Sequence, residues 1–75
     1  MRKKNTNLWL SGYRKMSGLT QIQMAKKIGI TPVSYSYKET GRRLWSSEEM
    51  FRIMDVLNKE RPELTLDMVF RNKVV

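Results

Sequence analysis

Apolar residues recur along this chain at the spacing of short helices, and most of the runs are bounded by a capping residue and a helix breaker. Leu10, Tyr13 and Met16 stand three apart, with Leu8 and Trp9 adding apolar area ahead of them. They predict an amphipathic helix over 6–16 that Ser17-Gly18 stops. Gly12 lies inside it and weakens it by about 1 kcal/mol relative to Ala. Thr20-Gln21-Ile22-Gln23 has the form of a capping box, with Leu19 and Met24 placed as a hydrophobic staple. The helix that follows carries Ile22, Met24, Ala25 and Ile28 and ends at Gly29, where a left-handed residue is wanted. Thr31-Pro32 restarts a helix two residues later, with Thr as N-cap and Pro at the first helical position. This third helix runs from Val33 to Thr40 and stops at Gly41; rich in Ser and Tyr, it depends on packing. Ser46 to Glu49 is a second capping box, followed by Met50, Ile53, Met54 and Leu57 at helical spacing. Arg61-Pro62 interrupts, and Thr65 caps a last short helix over 66–70.

Seventy-five residues build one core and no more. The pattern therefore predicts an all-α, single-domain bundle of about five short helices, flanked by a basic arm at 1–5 and a tail at 71–75. The paired valines of that tail could extend as a strand on a dimer partner. The chain has no Cys and no His, which removes thiolate nucleophiles, zinc–sulfur sites and the commonest general base. Glu48/Glu49 and Glu60/Glu63 read as helix-end charges, with no cleft to make them a catalytic pair. Expected are no catalytic residues, no cofactor and no metal. No apolar run follows Lys4 as a signal peptide would require, and none approaches the ~20 residues of a membrane span. A cytoplasmic, nucleoid-associated protein is expected.

Charge narrows the partner. Fifteen Lys and Arg against seven Asp and Glu give +8. Residues 1–45 hold ten basic residues and one acid, a balance of +9; residues 46–75 have a balance of −1. Such asymmetry points to a polyanion, nucleic acid first and an anionic membrane second, against a plain solubilising surface.

The two helices at 20–40, joined by a Gly turn and a Thr-Pro restart, describe a helix-turn-helix. Ala25 is small where the helices must approach. Ile22, Ile28, Ile30 and Tyr35 are expected to face the core, leaving Pro32, Val33, Ser36 and Tyr37 outward. The stretch Leu19-Thr20-Gln21, Met24-Ala25, Ile28-Gly29-Ile30-Thr31 and Glu39-x-Gly41 resembles the XRE-type helix-turn-helix family of phage Cro and repressor proteins. The resemblance covers roughly 6–70, and the closing segment 64–70 is similar to that of many small members. It implies that Gln21 touches a DNA phosphate and supports the recognition helix. It places Thr31, Pro32, Val33 and Tyr37 where the family reads bases, and Thr40, Arg42 and Arg43 where it touches the DNA backbone. It implies an internal salt bridge between Arg14 and Glu39. The expected DNA-binding set is Thr20, Gln21, Thr31, Pro32, Val33, Ser36, Tyr37, Thr40, Arg42 and Arg43.

The chain departs from the family pattern at two places. Lys38 takes a site usually apolar, so its stem is expected on the core with its head in water. Trp45 replaces a common Pro, leaving the loop after the recognition helix open. Tyr37 could instead cap the core edge. Trp9, Trp45 and the five internal Met residues are expected as packing residues, and Met50–Leu57 with Leu64–Phe70 as the dimer side. The expected protein is a homodimeric, Cro- or repressor-like regulator of double-stranded DNA with a palindromic operator and no small-molecule substrate. The alternative is a protein-interaction module on the same fold, an antitoxin or repressor antagonist. An RNA-binding role comes third, since an exposed aromatic platform is lacking.

Overall fold

In the computed structural model, residues 8–71 are described. The expected arm at 1–5, the start of the first helix at Thr6 and the tail from Asn72 onward lie outside them. Five helices follow one another: α1 (Leu8–Met16), α2 (Gln21–Ile28), α3 (Pro32–Glu39), α4 (Ser47–Asn58) and α5 (Leu66–Val69). Among the described residues there is no strand, and no helix is long and apolar enough to cross a membrane.

The helix starts lie where the capping residues stand. Thr20 and Ser46 form reciprocal capping boxes with Gln23 and Glu49, and the Thr31 and Thr65 hydroxyls accept from the N–H of Ser34 and Met68. The α2–α3 turn depends on Gly29. At φ 83° it is left-handed, which lets its own N–H and that of Ile30 both bond back into α2, to Lys26 and Ala25. After α4, the Asn58 side-chain amide donates to the carbonyls of Arg61 and Leu64 and folds the Pro62 turn back on itself.

The core is built from one or a few side chains per element. Leu10 comes from α1, Met24, Ala25 and Ile28 from α2, Tyr35 from α3, and Ile53, Met54 and Leu57 from α4; Trp45, Leu64, Val69 and Phe70 complete it. α2 packs on α3 and α4, and α5 is held between α1 and α4. The loop at 41–45 is settled by Trp45, which turns inward and meets Tyr35 and Phe70 edge-on, with ring centroids 5.3 and 6.0 Å away. Its indole Nε1 has no hydrogen-bond partner among the described residues.

Several expectations are corrected. Ile22, expected in the core, is 64% exposed, because the inward face of α2 is set by Met24, Ala25 and Ile28 together and Ile22 lies beyond its edge. Met16 is 60% exposed and Trp9 44%, so neither is a core residue. Trp9 instead carries Arg71, whose guanidinium carbon lies 4.1 Å from the ring centroid. The apolar residues expected to form the dimer side are largely consumed inside one chain: Ile53, Met54, Leu57, Leu64, Val69 and Phe70 are all buried. Of that set, Phe51 and Leu66 remain exposed.

Candidate nucleic-acid interface

α3 has two sides. Tyr35 and Glu39, four residues apart, point inward and are buried. Pro32 and Val33 face water, Val33 at 62% exposure, while Ser36 and Tyr37 are half-buried at the margin.

The inward side is fixed by a buried polar network. The Arg14 guanidinium of α1 grips the Glu39 carboxylate with two donors, at 2.9 and 3.2 Å, and gives a third to the Leu19 carbonyl at 2.8 Å. The Tyr35 hydroxyl donates to the same carboxylate at 2.8 Å, and the Gln21 side-chain amide does so at 2.6 Å. One carboxylate thus binds α1, α2 and α3 together. Burial alone would lower the Arg14 pKa, but the hydrogen bond and charge of Glu39 outweigh it and hold the guanidinium above its ordinary value. Burial, with the Glu39 charge added, pushes the Tyr35 phenol far above its ordinary range, so it stays a neutral donor.

Lys38 is a correction of another kind. Its ammonium does not extend freely into water: the side chain is 16% exposed, and the ammonium is bonded to Glu49 at 2.8 and 3.0 Å and lies 5.9 Å from the Trp45 ring centroid. Glu49 is the acid that closes the α4 capping box, so one carboxylate serves both the helix start and the lysine. Burial raises its pKa, but the hydrogen bond from Lys38 and the N–H of Ser46 more than reverse this, leaving it below its ordinary value.

The remaining expected residues surround α3. Thr20 and Thr31 are exposed N-caps whose hydroxyl oxygens are engaged while their O–H can still donate. Gln21 has one amide proton committed to Glu39 and a second to offer. Thr40 donates its hydroxyl back to the Ser36 carbonyl at 2.8 Å. Arg42 and Arg43 are exposed, with guanidinium carbons 5.3 and 5.4 Å from the Tyr37 ring centroid.

The caps, the Gly29 turn, the pair of helices and the buried ion pair describe a helix-turn-helix held in one geometry. A family model described as helix-turn-helix matches residues 10–64. The chain belongs to the XRE-type helix-turn-helix family. No curated protein matches it. XRE-type domains are DNA-binding transcription regulators, and that general activity is the one this chain carries.

Residue spacing did not reveal three supports of this XRE-type motif. The Gln21–Glu39 bond, the Lys38–Glu49 pair and the bond from Arg52 to the Ile28 carbonyl all join different elements. For the first, the resemblance implies that Gln21 supports the recognition helix without giving its acceptor. For the second, the sequence signal is a lysine at a normally apolar site, which has to find an acid if it is drawn inward.

Proposed function

We propose that this protein is a sequence-specific repressor of the Cro type that binds double-stranded DNA as a homodimer on a palindromic operator. Its DNA-binding domain comprises residues 6–70, and it acts at the nucleoid in the cytoplasm. The observation that carries the reading is the outward side of α3, where Pro32 and Val33 stand free on a helix whose other side is bonded to the core. In this reading Thr31, Pro32, Val33, Ser36 and Tyr37 face base edges. Thr20, Gln21, Arg42 and Arg43 face phosphates. Thr40 would have to release the Ser36 carbonyl before it could donate to one. Each copy measures 33 × 25 × 22 Å. Two copies side by side suit half-sites one turn of B-DNA apart, ~34 Å between centres. The dimer uses the apolar surface left outside the core.

Pro32 and Val33 bring no side-chain donor or acceptor, so their part of the operator is read through the thymine methyl group. Replacing that thymine by uracil removes only the methyl. Affinity for the selected duplex should fall several-fold, and affinity for random duplex should not change. Val33→Ala should reproduce the loss without adding to it, because both changes delete one contact. Equal binding of uracil and thymine, together with unchanged preference in Val33→Arg, would remove α3 as the reading element.

A further inference from the structure

The Tyr37 side chain is held at the margin of α3, and two arginines converge on it. The backbone N–H groups of Arg42 and Arg43 both donate to the Tyr37 carbonyl, at 2.8 and 3.2 Å. Gly41, with φ 90°, turns the chain so that they can. The two side chains then fold back, with their guanidinium carbons 5.3 and 5.4 Å from the centroid of the Tyr37 ring. Both distances are within the ~6 Å at which a ring face attracts a cation. One residue therefore holds two arginines, by main chain and by ring. Among the described residues neither guanidinium has a carboxylate within ion-pair distance, unlike Arg14, Lys38, Arg52 and Arg61. Two cations gathered on one ring repel each other, and an external anion between or beside them relieves that repulsion.

We infer that Tyr37 is a positioning residue: its ring presents Arg42 and Arg43 as a preformed clamp for the DNA backbone at the C-terminal end of α3, and its hydroxyl reads no base. The inference rests on the DNA-binding reading above and reassigns one of its residues. A guanidinium already held over a ring has less side-chain freedom left to lose when it meets a phosphate. The gain is blind to sequence, because phosphates carry none.

The test is a set of salt titrations on a selected duplex and a random duplex of equal length. Tyr37→Phe keeps the ring and should bind both as the parent does. Tyr37→Leu keeps apolar bulk but loses the ring. Its affinity should fall about two- to five-fold per arginine, by the same factor on both duplexes, with the log–log salt slope unchanged. Arg42→Ala and Arg43→Ala should each reduce the slope by about 0.9 and should not add fully to Tyr37→Leu. The double variant Arg42→Lys/Arg43→Lys leaves α3 untouched and serves if Tyr37→Leu does not fold. It should lose affinity without losing slope, since lysine keeps the charge and not the planar stacking. A Tyr37→Leu loss confined to the selected duplex, or a Tyr37→Phe loss of equal size, would overturn the clamp and return Tyr37 to base reading. No loss at all in either the leucine or the lysine variant would also overturn it. A parent protein whose binding to every duplex is flat in salt defeats the DNA-binding reading itself, whereas a steep parent slope with an inert Tyr37 defeats the clamp alone.

Discussion

Glu39 accepts hydrogen bonds from Arg14, Gln21 and Tyr35, one residue from each of the first three helices. The Arg14 and Glu39 side chains are only 6% and 4% exposed. A buried pair of this kind adds modestly to stability as a whole, but removing one partner strands the other charge away from water. Glu39→Gln should therefore lower unfolding free energy by about 3 kcal/mol, measured by denaturant titration. A change below ~1 kcal/mol, the range of exposed pairs, would contradict the network. The Lys38–Glu49 pair makes its own prediction in acid. Glu49 titrates below its ordinary value of 4.5 in the folded chain. Its stabilising effect is thus complete above that value and is lost as pH falls through the lower folded one. Thermal melts at about pH 6 and pH 3 should show a larger loss of stability in the parent than in Glu49→Gln. Equal losses would count against the coupling. The Arg14–Glu39 pair was legible from the resemblance. The resemblance also implies that Gln21 supports the recognition helix, but not which acceptor it meets, because a contact between different helices leaves no periodic trace in the sequence. Tyr35 and Glu39 stand four apart on α3, a spacing that permits their bond without requiring it.

Helix ends were more legible than helix faces. Thr20, Thr31, Ser46 and Thr65 all cap where they were expected, because a cap is decided by its own residue and the three that follow. The apolar spacing in α1 points to the wrong face for a definite reason. Leu10, Tyr13 and Met16 advance by three, and at 3.6 residues per turn the third lies about 120° around the helix from the first. The true inward line is Leu10, Tyr13 and Arg14, with a charged residue in a core position. α3 repeats the disguise, with Glu39 one turn beyond Tyr35. An apolar pattern cannot display a core line completed by a buried ion pair. At the α2–α3 turn, a Cβ on Gly29 would meet its nearest neighbour, Arg52 Nη1, at an ordinary 3.8 Å, so backbone conformation alone sets the effect of substitution. Gly29→Ala should destabilise by about 1–2 kcal/mol, and Gly29→Asn by less, since Asn tolerates the left-handed region. A denaturant midpoint for Gly29→Ala equal to that of the parent would contradict the turn.

Over the whole molecule, the all-α fold and its order of elements followed from caps and spacing, whereas the use of its apolar surface did not. Sequence alone does not distinguish an apolar residue that closes its own core from one that meets a second copy, and α4 and α5 turned out to do mostly the former. Charge suffers from the same ambiguity on a smaller scale. Arg14 and Lys38, both counted in the basic half, are neutralised internally. Lys15, Lys26, Lys27, Arg42 and Arg43 are exposed and make no ion pair among the described residues. A surface of that strength should neutralise about five phosphates per subunit, giving a log–log salt slope of about −4 to −5 per monomer. Titration of duplex affinity against salt checks this, and a slope within about one unit of zero would favour a protein partner instead.

The two-sided build of α3 bears on how such a regulator can diverge. Tyr35 and Glu39 hold the helix in place, and Pro32 and Val33 contribute nothing to the core. Surface substitutions of that sort usually change stability by no more than ~0.5 kcal/mol. New side chains can therefore be tried at these positions while the fold, its turn and its buried network stay intact, so the chain can acquire a new target by a few codon changes without passing through an unfolded ancestor.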